Sequence, residues 1–228
     1  MNGFHHSSFR CGLDAPRSQR FDSGVGLPKL PSLKSSAMKE LLSVSYLFSP
    51  LLLGLTAHGL CIKFNWLSSL YRPIDRGCSF HGKRIFGANK TYRGIVAVGL
   101  GTAIGFSLQT LFFHRFTPIR GIELIDYSFP KTTIIGFVFG AAAMLSELPN
   151  SFIKRQLDIA PGNAASGVTA LIFYAFDQID FLLGAWLVLA LFISVTFERV
   201  LWSLVFLFIS HQVITTVGYS LGMRTTPR

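Results

Sequence analysis

Apolar residues run along this chain in long blocks, and polar residues gather in the segments between them. Four blocks meet or nearly meet the roughly 20 residues that a helix needs to cross a bilayer core. They are residues 41–62, 94–113, 181–197 and 200–223. A fifth block, 132–146, reaches that length through Glu147 if this carboxylate faces protein or water instead of lipid. The pattern predicts an all-α, polytopic integral membrane protein with about five transmembrane helices.

Two further segments do not fit a membrane-spanning helix. Residues 164–176 are apolar but shorter than the roughly 17 residues of the shortest spans, so they predict a re-entrant, interfacial or protein-buried helix leading into Asp177. Residues 1–37 are rich in Ser, Gly and Pro without periodicity, which predicts a disordered tail before a membrane-embedded domain at 38–228. Met38 begins a more conventional start, so the tail is also consistent with an over-extended reading frame.

Composition agrees with a membrane protein and leaves the partner open. The chain is 50% hydrophobic and only 14% charged, with 22 Phe, which excludes an ordinary soluble domain. Its three cysteines, Cys11, Cys61 and Cys78, have unrelated spacings and indicate neither a disulfide framework nor a zinc site. The net charge of +10 is compatible with nucleic acid, anionic lipid or a phosphorylated substrate, so its placement must decide.

The positive charge is concentrated between the first two apolar blocks. Residues 63–93 carry seven Lys and Arg against the single acid Asp75. Short loops rich in Lys and Arg stay on the cytoplasmic side, and alternation of the spans then puts Lys154 and Arg155 on the same face. We therefore expect a multi-pass protein of the cell membrane with the bilayer as a partner, no nucleic acid, and an active site formed by cytoplasmic loops.

Two carboxylates inside an apolar stretch are the clearest candidates for chemistry. Asp177 and Asp180 are three residues apart, so on a helix they project from one face. Such a pair repels unless a cation or proton lies between its members, and Mg²⁺ prefers one or two carboxylates together with substrate phosphates. The alternative is a helix-capping pair at the membrane surface.

A second candidate is a cationic helix face. Ser151, Lys154 and Arg155 stand at i, i+3 and i+4 on a helix expected to begin near Pro149, where they would form a cradle for a polyphosphate. The alternative is a basic anchor resting on lipid headgroups. Pro149 is expected to break the helix between Glu147 and Ser151, so these two are not assumed to share a face.

The third candidate is the glycine-rich part of the basic loop, residues 81–94. Its glycines allow close backbone approach to a ligand, its cations could neutralise phosphates, and its amide and hydroxyl groups could hydrogen-bond them. The relevant side chains are Lys83, Arg84, Asn89, Lys90, Thr91 and Arg93. The loop contains no Walker A motif. A juxtamembrane segment attracted to anionic lipid is the alternative.

Four segments, taken in order, carry a resemblance to a known family. They are RPIDRG, GKRIFGANKTYRG, SELPNSFIKRQLDIAPG and DQIDFLLGA. Together they resemble the CDP-archaeol synthase family and its bacterial relatives, which are related to the phosphatidate cytidylyltransferases that make CDP-diacylglycerol. The resemblance covers about residues 40–224.

The resemblance implies transfer of a cytidylyl group from CTP to a lipid phosphate, with release of pyrophosphate and a requirement for Mg²⁺. Asp177 and Asp180 would hold the metal and, with Lys154, form the catalytic set. Phosphate or nucleotide contacts would come from Asn89, Lys90, Thr91, Arg93, Ser151, Lys154 and Arg155. Supporting positions would fall to Asp75, Arg84 and Glu147. The family more often has Gly-Asp where this chain has Ser146-Glu147, which leaves the role of Glu147 open.

Other functions remain possible from the sequence. A CDP-diacylglycerol synthase acting on phosphatidate would use the same residues, because apolar spans do not encode the lipid chain. An ion- or proton-coupled transporter could also pair buried acids with cations, but the chain shows no inverted repeats. A lipid-binding scaffold would need no acidic pair. The sequence predicts no oligomeric state.

Overall fold

A computed structural model of the protein describes residues 33–115, 121–160 and 167–220. Within these ranges the chain forms six α-helices and one very short hairpin. The helices are α1 (Leu33–Lys63), α2 (Tyr92–Arg115), α3 (Lys131–Leu145), α4 (Glu147–Gln156), α5 (Gly167–Leu189) and α6 (Phe197–Ser220). Five stretches are long and apolar enough to cross a membrane, with α3 and α4 counting as one. The predicted all-α, five-span membrane fold is confirmed.

Successive spans run antiparallel and pack closely through small residues. Along α1 and α2, Gly54 lies against Thr102 while Pro50 lies against Gly105. Small residues let helix backbones approach in a membrane, where packing and not apolar burial drives association. The centre is filled by Phe48, Phe106 and Phe139, whose rings meet edge-on with centroids 5.4 and 5.8 Å apart. This up-and-down order places loop 64–91, the end of α4 and the start of α5 at the same end of the bundle.

The fourth span differs from the prediction. The sequence suggested a span over 181–197 preceded by a separate helix over 164–176, but residues 167–189 form the single helix α5. Isolated charges are costly in lipid, so the sequence predicts a short helix that ends at Asp177 instead of a span that continues through it. In the structure both carboxylates have partners on α4, so the helix continues through them. Residues 164–166 lie outside the described part of the chain.

The break before the cationic helix also differs from the prediction. Pro149 was expected to interrupt the helix between Glu147 and Ser151, yet both belong to α4. Pro149 lies in the first turn of α4, where its missing N–H costs little. The interruption falls instead at Ser146. The span extends through Glu147, as predicted for the apolar block 132–146.

The two ends of the described chain bear on the predicted boundaries. Helix α1 begins at Leu33, so residues 33–37 are helical and not part of a disordered tail. The rest of the tail prediction, over residues 1–32, lies outside the described residues. Helix α6 begins at Phe197, three residues before the predicted start, and its predicted last residues 221–223 also lie outside.

The basic loop between α1 and α2 is a shaped structure. It contains a 3₁₀ turn (Ser68–Leu70) and an antiparallel hairpin of β1 (Ser79–Phe80) and β2 (Lys83–Arg84). His81 and Gly82 at the hairpin turn have φ values of 49° and 76°. Two positive φ angles match the twist of the strands in a two-residue hairpin. The Phe80 ring lies 5.8 Å from that of Phe152, so the loop packs on α4.

Helix α1 contains a proline in mid-span, and α2 compensates for it. Pro50 has no N–H to donate to the carbonyl oxygen of Tyr46. The Nε2 of Gln109 donates to that oxygen instead and also lies 3.0 Å from Oγ of Ser49. An unsatisfied polar group in lipid is expensive. Oγ of Ser49 donates to the same oxygen at 2.9 Å, so Gln109 and Ser49 together replace the missing N–H.

We expect Gln109→Leu to destabilise the protein by about 1–3 kcal/mol when Pro50 is present, because a buried carbonyl loses a donor. In a Pro50→Ala background the alanine N–H replaces that donor, so the loss should be smaller. The hydrogen bonds of Gln109 with Ser49 and Tyr127 are lost in both backgrounds. Thermal unfolding of the four variants in detergent measures the difference. Equal losses in both backgrounds would contradict the compensation.

Candidate active site

One face of α4 carries the polar residues of the candidate site. Glu147, Asn150, Ser151 and Lys154 stand at i, i+3, i+4 and i+7, which is the spacing of a single helix face. This face is turned towards α5. Asp177 and Asp180, which are about one helical turn apart on α5, project towards this face.

The side chains of the two helices meet through short hydrogen bonds. Nδ2 of Asn150 lies 2.6 Å from Oδ1 of Asp177 and 2.9 Å from Oδ2 of Asp180. Nζ of Lys154 lies 2.6 Å from the same Asp177 oxygen. Asp180 is only 8% exposed, whereas the side chain of Asp177 is 48% exposed. The cluster therefore has a buried and an open carboxylate.

A backbone contact one turn along α5 sets the register of this cluster. A Cβ atom on Gly184 would lie 2.4 Å from the carbonyl oxygen of Ala142 and 2.4 Å from Oγ of Ser146. No side chain fits there, so α5 touches the end of α3 directly. Because Asp180 lies four residues before Gly184, this contact fixes its height against Asn150.

The basic loop contacts both the first and the last residue of α4. The ammonium group of Lys90 pairs with the carboxylate of Glu147 at the start of α4. At the other end, Nζ of Lys83 lies 2.7 Å from the carbonyl oxygen of Gln156 and 2.7 Å from Oδ2 of Asp158. Glu147 also lies near enough to Asp180 to interact with it electrostatically. Loop, α4 and α5 thus form one continuous polar surface.

Asp75 organises the loop instead of facing the cluster. Its buried carboxylate accepts hydrogen bonds from four groups: the N–H groups of Gly77, Phe86 and Gly87, and Arg84 at 2.5 Å. Burial disfavours the charged form, but these donors outweigh burial and lower the pKa of Asp75 to about 2. The structure gives Asp75 and Arg84 this role in folding the loop, and their supporting role in the site stays a prediction.

We expect Asp75→Asn to accelerate amide hydrogen exchange at Phe86 and Gly87 by about 10- to 100-fold, because losing a charged acceptor costs about 1.5–3 kcal/mol. The pKa of Asp75 lies below its ordinary 3.8, so wild-type protection should be complete above that value and fall as pH drops through about 2. Asp126→Asn, which changes an exposed acid at the opposite end, is the control. Equal exchange rates at Phe86 and Gly87 in the two variants would contradict this role of Asp75.

Other residues proposed from the sequence have local partners. Thr91 precedes α2 and its Oγ1 accepts the N–H of Gly94 at 3.4 Å, so it caps that helix. The buried guanidinium of Arg93 lies 4.4 Å over the Tyr71 ring and 3.3 Å from Oδ1 of Asn65.

The structure also places three further residues that the sequence proposed as phosphate or nucleotide contacts. Arg155 donates to the carbonyl oxygen of Ile159, Ser151 is buried on the shared α4 face, and Asn89 is exposed on the loop. Within the described chain, Lys90, Glu147, Lys154, Asp177 and Asp180 therefore form the polar surface between α4, α5 and the loop, with Ser151 on the same α4 face.

Asn150 is the member of the cluster that the sequence analysis missed. It is uncharged and precedes Ser151, Lys154 and Arg155, the three residues that the sequence placed on one helix face. Its position four residues before Lys154 was the available signal, because it places the amide on the same helix face.

The donor set suits a hard divalent cation that also has phosphate ligands. No group of three His, Cys, Asp or Glu side chains within the described ranges could hold a metal ion alone. However, carboxylate oxygens of Asp177 and Asp180 converge on one nitrogen, and Mg²⁺ usually takes one or two carboxylates plus substrate phosphates and water. The residues present therefore fit Mg²⁺.

Comparison with known proteins identifies relatives of this chain. The CarS-like family model, described as CDP-archaeol synthase, matches residues 51–227. The CDP-archaeol synthase of Pyrobaculum aerophilum is 33% identical over 157 residues, and that of Saccharolobus islandicus is 32% identical over 158. Each alignment covers 68% of this chain and 81% of the relative.

A solved structure of an intramembrane enzyme for archaeal membrane lipid biosynthesis has a similar fold. The match covers 76% of this chain and 92% of that one, with a TM-score of 0.54 and 21% sequence identity. It supports the arrangement of the helices, while the family match supports the relationship. This multi-pass membrane protein therefore belongs to the CDP-archaeol synthase family.

Proposed function

We propose that this protein transfers a cytidylyl group from CTP to an isoprenoid ether lipid phosphate, forming a CDP-archaeol-type lipid and pyrophosphate. The observation that carries the proposal is the meeting of Lys154, Asp177 and Asp180 between α4 and α5 in a chain of this family. The family match favours an ether lipid over phosphatidate. It also favours an enzyme over a transporter.

The reaction needs alignment and charge neutralisation more than a dedicated base. An oxygen of the lipid phosphate attacks the α-phosphorus of CTP, a new P–O bond forms, and the bond to the β-phosphate oxygen breaks to release pyrophosphate. The attacking oxygen is already anionic, so the main barrier is repulsion between phosphates. Mg²⁺ held by Asp177 and Asp180 would supply part of the neutralising charge when bound.

The lysines of the site would supply the rest of the positive charge that neutralises the phosphates. In the structure each pairs with an acid: Lys154 with Asp177 and Lys90 with Glu147. A triphosphate offers both ammonium groups a stronger partner, and charge-assisted hydrogen bonds are favoured where water is scarce. We propose that both lysines turn to the phosphates when CTP binds. Asn89, Thr91, Arg93, Ser151 and Arg155 stay candidates for further phosphate or nucleotide contacts.

The lipid acceptor would approach from the side of α5. Apolar side chains on the first half of this helix, including Leu171 and Phe176, are exposed next to the open carboxylate of Asp177. If the lipid phosphate lies near Asp177, the hydrocarbon chains of the lipid would lie beside these residues. The Lys- and Arg-rich loop at the same end favours placing the site on the cytoplasmic face of the cell membrane.

The direct test uses purified protein in liposomes with labelled CTP and Mg²⁺. An isoprenoid ether lipid phosphate should become labelled from α-labelled CTP, and γ-labelled CTP should release its label as pyrophosphate. Phosphatidate should react more slowly. Faster labelling of phosphatidate would make the protein a CDP-diacylglycerol synthase. Failure to label either lipid, with intact folding, would contradict the proposal.

A further inference from the structure

Asn150 occupies an unusual place between the two carboxylates of α5. It is 7% exposed, and its amide nitrogen contacts one oxygen of Asp177 and one of Asp180. An asparagine amide has two N–H donors, so each carboxylate receives one. Lys154 reaches only Asp177, and the N–H of Phe181 reaches the other oxygen of Asp180. In the described chain, Asn150 is thus the side chain that hydrogen-bonds to both acids.

The two carboxylates need such a link. Asp177 and Asp180 repel each other, and Glu147 adds a third negative charge nearby. The repulsion is stronger in a site largely shielded from water. Without a common donor, the half-exposed Asp177 would keep its ion pair with Lys154, which does not reach the buried Asp180.

We infer that Asn150 is a positioning residue that holds Asp177 and Asp180 convergent, so that one divalent cation can bind both. The inference rests on the metal role in the proposed function. A neutral donor suits this task, because a cationic one would compete with the metal for the same oxygens. Residues that orient metal ligands commonly change metal affinity or activity by about 10- to 100-fold when replaced.

Binding of Mn²⁺, followed by the paramagnetic resonance signal of the free ion, tests this without CTP, lipid or turnover. Asn150→Ala should weaken Mn²⁺ binding by about 10- to 100-fold. Asn150→Leu, which has nearly the same shape but no N–H donor, should also weaken it. Gln212→Ala is the control, since it removes an exposed amide that donates to Tyr174 on α5 and should leave Mn²⁺ affinity unchanged.

The outcomes separate the inference from the function on which it rests. If the wild type binds no Mn²⁺ with or without CTP, the metal assignment fails and the inference fails with it. If the wild type binds Mn²⁺ and folded Asn150→Ala binds it equally well, only the inference is overturned. If Asn150→Ala does not fold, Asn150→Leu decides: weaker binding supports the positioning role, and unchanged or tighter binding overturns it.

Discussion

Replacing Asp180 with Asn is expected to lower the turnover number for CDP-lipid formation by roughly 10³-fold or more, since a metal site supplies several kcal/mol of charge stabilisation. The substitution preserves shape at a position that is 8% exposed and removes the charge. It also removes an acceptor for the amide of Asn150. The melting temperature should change little, because the variant relieves repulsion among neighbouring acids.

Labelled-CTP assays and thermal unfolding of the same preparation test this prediction. The matched control is Asp158→Asn, which changes an exposed carboxylate beyond the end of α4 whose partner is Lys83. That variant should retain near-normal turnover. Near-normal turnover in Asp180→Asn would remove the basis for placing a metal there.

Lys154→Met is expected to reduce kcat/KM for CTP by roughly 10²- to 10³-fold, the range seen when a donor that stabilises developing charge is lost. Its ammonium group is the cation closest to the acidic pair, 2.6 Å from Asp177. Its ammonium nitrogen also lies 5.3 Å from the centroid of the Phe173 ring, and methionine keeps most of the apolar stem. The change therefore removes charge with little loss of packing.

Steady-state kinetics at varied CTP separate the possible roles of Lys154. A loss mainly in kcat would indicate contact in the transition state, and a loss mainly in KM would indicate binding of the triphosphate. Lys131→Met is the control, because Lys131 also pairs with an acid, Asp126, but at the opposite end of the bundle. Equal activities of the two variants would exclude a role for Lys154 at the reacting phosphates.

The spans were predictable because apolar length is a strong signal, and α1, α2 and α6 fall near their predicted positions. Helix α5 was misread for a physical reason. Sequence alone shows the cost of Asp177 and Asp180 in lipid but not the donors on another helix that offset it. Those donors become visible only when α4 and α5 are placed side by side.

The candidate site was partly predictable for a similar reason. Charge and spacing identified Lys154 and the two aspartates. The structure pairs Lys154 with Asp177 and links both aspartates through Asn150. Asn150 carries no charge, and Thr91 looks the same in sequence whether it binds a ligand or caps a helix. Such roles depend on which groups lie opposite, which no local pattern records.

The contact at Gly184 has a consequence for how the protein responds to its membrane. Bilayers of different thickness tilt or shift transmembrane helices, at modest cost per ångström of mismatch. Because α5 touches the backbone of α3 directly, these helices should adjust as one body, without sliding past each other. The spacing between Asn150 and Asp180 would then be preserved in thin and thick membranes alike, which makes the chemistry tolerant of lipid composition.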